Sequence, residues 1–166
     1  MADDHDGNVR RLLANGVAGD EVVRIAEEAV QTYDLNRKPK GAVSGAIGTA
    51  GCAIFRRMLR DDNYEPDIEA LLEYRPFTID GAAEQIGMSK NAAGPGINRL
   101  IEHGFADKRR DGRSFSMRLA LPATALTEYA EGYLDRFEPN MAGYQEHQHL
   151  AKTILLLYPR DTDKGE

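Results

Sequence analysis

The sequence predicts a mainly α-helical protein that carries one small β-hairpin. Apolar residues recur at helical spacing in segments on both sides of a central basic stretch. Inside that stretch, an alternating apolar and polar run at 114–119 follows the turn-forming pair Asp111-Gly112, which is the pattern of a hairpin. The 166 residues, 42% of them hydrophobic, suffice for one domain of ordinary size with its own core.

The composition of the chain limits which cellular compartments and which kinds of site are plausible. Cys52 is the single cysteine of the sequence, so neither an intrachain disulfide nor a multi-cysteine metal site can form. The first residues are acidic and lack the basic-then-apolar order of a secretory signal. The longest uncharged run, 41–55, has 15 residues and is interrupted by glycines, whereas a membrane-spanning helix needs roughly 20 apolar residues. We therefore expect a cytoplasmic protein with no membrane partner.

Charge is unevenly distributed along the chain. The net charge is −6, yet residues 89–118 contain seven Lys/Arg and three Asp/Glu, so this segment carries +4 and the remainder carries −10. An acidic protein with one basic segment is typical of a localised phosphate-binding surface, because only that segment can neutralise DNA phosphates and release their counterions. A solvated basic hairpin without a partner is the alternative that charge alone leaves open.

Helices are predicted on both sides of the basic segment. One begins at Asp20, and the next covers Ala42–Arg60, where glycines form a small-residue face that requires close packing of another backbone, with a partner subunit as one candidate. A short helix after Pro66 is expected to end at Arg75-Pro76. The predicted organisation is a flexible N-terminus at 1–18, dimerisation helices at 19–62, a central domain at 63–121, dimerisation helices at 122–158 and a loose tail at 159–166.

Residues 78–104 predict two short helices joined by a tight turn. Thr78 or Asp80 can cap the first helix, and Gly87 can end it in a left-handed conformation. Ser89 can cap the second helix, which Gly104 closes. Two helices connected in this way form a helix-turn-helix, whose second helix enters the major groove of DNA.

The hairpin after the second helix makes this prediction more specific. Strands are expected at Phe105–Arg109 and Ser114–Leu119, with Asp111-Gly112 in the turn and arginines near its tip. Such a basic hairpin is a wing. The predicted fold class is therefore mainly α with a small β-hairpin wing, a winged helix-turn-helix with N- and C-terminal dimerisation helices.

Three segments between about Pro66 and Leu119 resemble the MarR family of winged-helix transcriptional regulators. They are Ala82-Ala83-Glu84-Gln85-Ile86-Gly87-Met88-Ser89, then Arg99-Leu100-Ile101-Glu102-His103-Gly104-Phe105, and then Asp111-x-Arg113 followed by Met117-x-Leu119. The resemblance implies a dimer formed through the terminal helices, with Arg113 in the minor groove and Asp111 bracing it. Ser116, Ala120 and Pro95 depart from the residues usual in that family.

The resemblance and the basic residues together give a set of predicted DNA contacts. By position in the family, the helix residues facing DNA would be Ser89, Lys90, Asn91, Gly94 and Asn98. Arg99, Lys108, Arg109, Arg110 and Arg113 complete the set as basic residues of the second helix and the wing.

Gly94-Pro95-Gly96 conflicts with a regular recognition helix. A proline inside a helix removes one hydrogen bond and costs roughly 3 kcal/mol relative to alanine. We therefore expect either a kink at Pro95 or a helix that restarts with Pro95 in its first turn.

The sequence predicts a non-enzymatic function. It shows no nucleophile-base arrangement and no phosphate-cradling glycine loop, and His147 and His149 lie two apart, on different faces of a helix, so no metal or cofactor is expected. We expect a homodimer that binds duplex DNA as a transcriptional regulator, most simply a repressor, and a small-molecule effector stays open. The alternative is a winged-helix module for protein–protein contacts, replication or partition.

Overall fold

The computed structural model of the protein describes residues 5–42, 45–136 and 144–158. This part of the chain is mainly helical, as the sequence predicted, and contains a small three-stranded antiparallel sheet in place of the predicted two-stranded hairpin. No described helix combines the length and the apolar character needed to cross a membrane. The elements are α1 (His5–Ala14), α2 (Gly19–Asn36), α3 (Gly48–Met58), a 3-10 helix (Ile68–Leu71), β1 (Arg75–Phe77), α4 (Ile79–Ile86), α5 (Lys90–Glu102), β2 (Ala106–Asp111), β3 (Ser114–Leu119), α6 (Ala123–Arg136) and α7 (Tyr144–Leu157).

The sheet has β3 at its centre, paired on one side with β1 and on the other with β2. Met117 lies opposite both Arg75 of β1 and Lys108 of β2. Because side chains alternate across a strand, Met117 and Leu119 share one face, and both are buried in the hydrophobic core. The sequence does not predict β1, because Arg75-Pro76 indicates only the end of a short helix.

Helices α3, α4 and α5 pack against one another, while β2 packs on α5 and β3 packs on the 3-10 helix. The order of these elements along the chain, α3-β1-α4-α5-β2-β3, is compatible with a winged helix. The predicted domain boundary at residue 63 therefore separates α3 from α4 and α5, two of the helices that it contacts.

Two glycines form the contact between α3 and α5. A Cβ atom on Gly96 would lie 2.7 Å from the backbone nitrogen of Gly51, and a Cβ atom on Gly51 would lie 3.0 Å from the carbonyl oxygen of Gly96. Another backbone thus packs closely on α3, but it belongs to α5 of the same chain and meets Gly51, which is not one of the small residues, Gly41, Gly45, Gly48 and Cys52, for which close packing was predicted. A partner subunit is not needed to cover Gly51.

The start of α3 is later than predicted because a side chain from α2 caps it. Asp34 Oδ1 accepts hydrogen bonds from the backbone nitrogens of Ile47 at 2.8 Å and Gly48 at 2.9 Å, and Oδ2 accepts one from Gly45 at 3.3 Å. These bonds satisfy backbone donors at the helix start, where no intrahelical partner exists. Gly45 allows the approach, since a Cβ atom there would lie 1.9 Å from the carbonyl oxygen of Asp34.

Residues 5–14 of the segment predicted to be flexible form helix α1. Val9 and Leu12 are fully buried, and Asn8 Nδ2 donates a 2.7 Å hydrogen bond to the carbonyl oxygen of Leu121. The Tyr158 hydroxyl at the end of α7 donates to the carbonyl oxygen of Asn8 at 3.2 Å. Burial in the core, packing on α2 and the hydrogen bonds to Leu121 and Tyr158 therefore hold α1 in place. Residues 1–4 and the predicted tail at 159–166 lie outside the described residues.

Polar contacts connect α6 to the end of α5 through α2. Arg37 donates two hydrogen bonds of 2.8 Å to the Glu128 carboxylate, and its guanidinium lies 3.5 Å from the centre of the Tyr33 ring. Burial raises the pKa of Glu128, but the hydrogen bonds from Arg37 and Asn36, together with the charge of Arg37, lower it by more than burial raises it. The pKa of Glu128 therefore lies below its usual value. The Tyr33 hydroxyl and His103 Nδ1 form a 2.9 Å hydrogen bond, which fixes the residue that follows α5.

Candidate nucleic-acid interface

The predicted ends of the two central helices are confirmed. Thr78, and not Asp80, caps α4, because its hydroxyl oxygen accepts a 3.0 Å hydrogen bond from the backbone nitrogen of Gly81. Gly87 ends α4 in the left-handed region at φ 68°. The Ser89 hydroxyl oxygen accepts from the nitrogen of Ala92 at 3.3 Å and caps α5. These local contacts orient α5 relative to α4.

Helix α5 has one buried face and one exposed face. Ala93, Gly96, Ile97 and Leu100 are buried. At about 100° per residue, the side chains that point directly away from this buried face are those of Asn91, Pro95, Asn98 and Glu102, and all four are exposed. We call these four residues the outer stripe of α5.

Pro95 lies inside a continuous helix. α5 runs from Lys90 to Glu102 with Ser89 as its N-cap, so the predicted restart at Pro95 does not occur. Proline has no N–H, and the carbonyl of Asn91 therefore lacks its intrahelical donor. Gly96, on the buried side, permits the contact with α3, while a Cβ atom on Gly94 would have no atom within 4 Å. The two flanking glycines thus have different surroundings.

Most of the residues at the start of and along α5 that are predicted to contact DNA are exposed. Ser89, Lys90, Asn91, Asn98 and Arg99 are exposed, and Gly94 is partly buried. Lys90 Nζ lies 3.6 Å from Asp80 Oδ1, an exposed pair between the starts of α5 and α4. Asp80 therefore offsets part of the positive charge at this end of α5.

The wing consists of β2, β3 and the turn between them, and its turn differs by one residue from the prediction. Asp111 pairs with Ser114, so the central residues of the turn are Gly112 and Arg113. Gly112 has φ 68°, and among the described residues the only non-glycine with positive φ is Tyr64. A positive φ at the first central position alone is the pattern of a type II′ hairpin turn. This turn places the exposed Arg113 at the wing tip.

The predicted brace between Asp111 and Arg113 is not formed. None of the hydrogen bonds and ion pairs of the described residues joins these two side chains. The carbonyl oxygen of Asp111 instead accepts a 3.2 Å hydrogen bond from the Ser114 hydroxyl. Arg113 is therefore held at the tip by the turn alone.

Three basic residues of β2 that were predicted together lie on two faces of the sheet. Lys108 is opposite Met117 and Arg110 is opposite Phe115, so both emerge on the face that packs on the helices. Lys108 Nζ lies 4.5 Å from the centre of the Phe115 ring. Arg109 is on the other face.

Tyr74 organises that outer face, and the sequence analysis missed it. The guanidinium carbons of Arg109 and Arg118 lie 4.0 Å and 4.8 Å from the centre of the Tyr74 ring. Arg118 also donates a 2.7 Å hydrogen bond to Asp107 on the neighbouring strand. Arg118 therefore contributes little net charge to the basic surface. The contact depends on β1, which has only three residues and gives a weak signal in sequence.

Cys52 has the environment of a packing residue. Burial is the main cause that raises the pKa of its thiol to about 12, and the nearby charge of Asp34 acts in the same direction. The thiol is therefore protonated near neutral pH, and a protonated, buried thiol is a poor nucleophile.

A cavity of about 420 Å³ lies between the end of α3, β1 and the start of α4. Phe77 and Met117 supply apolar surface, and Arg57, Arg75 and Gln85 supply polar groups. Arg75 is already paired with Asp67 at 2.6 Å. The cavity thus combines apolar surface with polar groups beside the start of α4.

Comparisons with known proteins found no match. The sequence matches no protein-family model, and no curated protein or solved structure matches it significantly. The resemblance to the MarR family therefore rests on the residues of the helix-turn-helix and the wing.

Proposed function

We propose that this protein is a transcriptional regulator that binds duplex DNA, with α5 in the major groove and the wing tip in the minor groove. The observation that carries the proposal is the exposure of the polar and basic residues of α5 and the wing, which the core does not use. Asn91, Asn98, Arg99, Arg110 and Arg113 all lie on the surface, on the second helix and the hairpin of an arrangement compatible with a winged helix.

The salt dependence of duplex binding tests this proposal. We expect a labelled 30-bp duplex of mixed sequence to bind, because the phosphate contacts alone supply non-specific affinity. The logarithm of the binding constant should fall with the logarithm of salt concentration by about 0.9 per phosphate contacted, measured by fluorescence anisotropy. No binding at about 50 mM salt, with the protein folded, would contradict the proposal and favour a protein–protein module.

The proposed regulator acts as a homodimer, which would place two copies of α5 on two half-sites. Gly51 of α3 does not support this dimer, because α5 covers it. Among the described residues of the terminal helices, the large apolar side chains that stay exposed are Leu35 at 63% and Leu156 at 83%. We propose that the face of α7 around Leu156 forms the dimer contact.

Light scattering of the full chain measures the dimer directly. The wild type is expected to have twice the chain mass of 18.4 kDa at micromolar concentration. Leu156→Glu should give a monomer, since a carboxylate in an apolar interface loses its hydration. Leu35→Glu is the matched control and should stay dimeric. A monomeric wild type would refute the dimer, and a dimeric Leu156→Glu variant would exclude this face of α7.

A further inference from the structure

We infer that α5 reads A·T base pairs, with Asn91 and Asn98 binding adenines about three base pairs apart and Pro95 contacting a thymine methyl group between them. The inference rests on the proposed function and adds the class of DNA sequence that this helix takes. It follows from the outer stripe of α5, which faces away from the core along the whole helix.

The outer stripe of α5 presents two side-chain amides, those of Asn91 and Asn98, and the ring of Pro95 in one row on one side of the helix. Asn91 and Asn98 are seven residues apart, which is close to two full turns, so their side chains point in nearly the same direction. Pro95 lies between them, four residues after the first and three before the second. Gly94, beside the row, has open space where a side chain would be, so the backbone there can approach a base edge closely.

The spacing of the two asparagines matches the spacing of base pairs. Seven residues at a rise of about 1.5 Å separate them by roughly 10.5 Å along the helix. Successive base pairs are about 3.4 Å apart, so the two side chains reach bases about three steps apart when α5 lies along the groove. The first of them is in the N-terminal turn, the end of a recognition helix that contacts base edges.

The chemistry of the row selects adenine and thymine. The side-chain amide of asparagine matches the major-groove edge of adenine, because its nitrogen can donate to N7 and its oxygen can accept from the N6 amino group. Bidentate recognition of guanine requires arginine or lysine instead. The row contains neither arginine nor lysine. The ring of Pro95 is an exposed apolar surface, and the one apolar group in the major groove is the thymine methyl.

The charged neighbours of the row are placed for other contacts. Lys90 is paired with Asp80 at 3.6 Å and points about 100° away from Asn91. Arg99 points about 100° away from Asn98, toward the flank of the groove where phosphates lie. Glu102 is at the C-terminal end of α5, farthest from the end that enters the groove. At the wing tip, Arg113 favours the narrow minor groove of A·T-rich DNA.

Selection from a library of random 20-bp duplexes tests the inference with the full-length protein. We expect bound duplexes to be enriched in A·T pairs, with two adenines about three positions apart. Asn91→Ala and Asn98→Ala should each relax the base preference at one of these positions. Each should also lower the affinity for the selected duplex about tenfold. Asn63→Ala, at an exposed asparagine of a loop far along the chain from α5, is the matched control and should leave affinity and preference unchanged.

Replacing the enriched thymines by deoxyuracil, which lacks only the methyl group, tests the role of Pro95. The wild type should bind the substituted duplex severalfold more weakly, and Pro95→Ser should bind both duplexes equally. If no duplex is bound, the proposed function itself fails. If duplexes are bound but G·C pairs or no bases are enriched, or if the asparagine variants keep the wild-type preference, DNA binding stands and this inference is overturned.

Discussion

Gly96→Ala is expected to lower the free energy of unfolding by about 1–3 kcal/mol, because overpacking a well-packed contact costs about that much. The added methyl group would lie 2.7 Å from the backbone nitrogen of Gly51 and 3.1 Å from its Cα. Backbone atoms cannot turn aside as a flexible side chain can, so α3 and α5 must move apart. Urea unfolding followed by circular dichroism measures the change.

Gly94→Ala is the control for this variant, in the same helix and with the same chemical change. A Cβ atom there meets nothing within 4 Å, and alanine is favoured over glycine inside a helix by up to about 1 kcal/mol. This variant should therefore be more stable than the wild type. Equal effects of the two variants would show that helix propensity, and not the contact with Gly51, decides the role of Gly96.

The largest expected effect on DNA binding comes from the wing. Replacing Lys108, Arg110 and Arg113 together by alanine should reduce the salt dependence of duplex binding by about three units in slope for each bound subunit, one for each cation removed. The first two emerge on the helix side of the sheet and the third is at the tip of the turn. Fluorescence anisotropy with one duplex at several salt concentrations gives the slope.

A matched control separates contact from net charge. Lys38, Lys40 and Arg56 are exposed and lie outside α5, the wing and the proposed dimer contact, and replacing them by alanine removes the same three charges. This control should keep the wild-type slope. If it loses as much slope as the wing variant, overall charge governs binding, and the wing has no particular place in the interface.

Local features of the helix-turn-helix were predictable because each depends on a few neighbouring residues. A hydroxyl side chain before a helix can reach a free backbone N–H one turn on, and Thr78 and Ser89 both do so. Glycine at the end of a helix adopts positive φ without steric cost, and Gly87 does so. Exposure of Asn91 and Asn98 follows from helical periodicity in the same way.

Other features depend on residues that are distant in the chain. The carboxylate of Asp34 sets where α3 begins, from the end of another helix. β1 is stable as a strand only because it pairs with β3, about 40 residues later. The residues around the start of α3 do not indicate the contact with Asp34, and those around β1 do not indicate the pairing with β3.

The sequence by itself determined the two central helices, their caps and the basic hairpin, since periodicity, capping and turn formation act over a few residues. Tertiary structure decided how these elements are used. Packing of Gly96 on Gly51 fixes the side of α5 that faces outward, and cross-strand register fixes Gly112-Arg113 as the turn. Register also places Arg109 on Tyr74, away from Lys108 and Arg110, because a strand turns successive side chains to opposite faces.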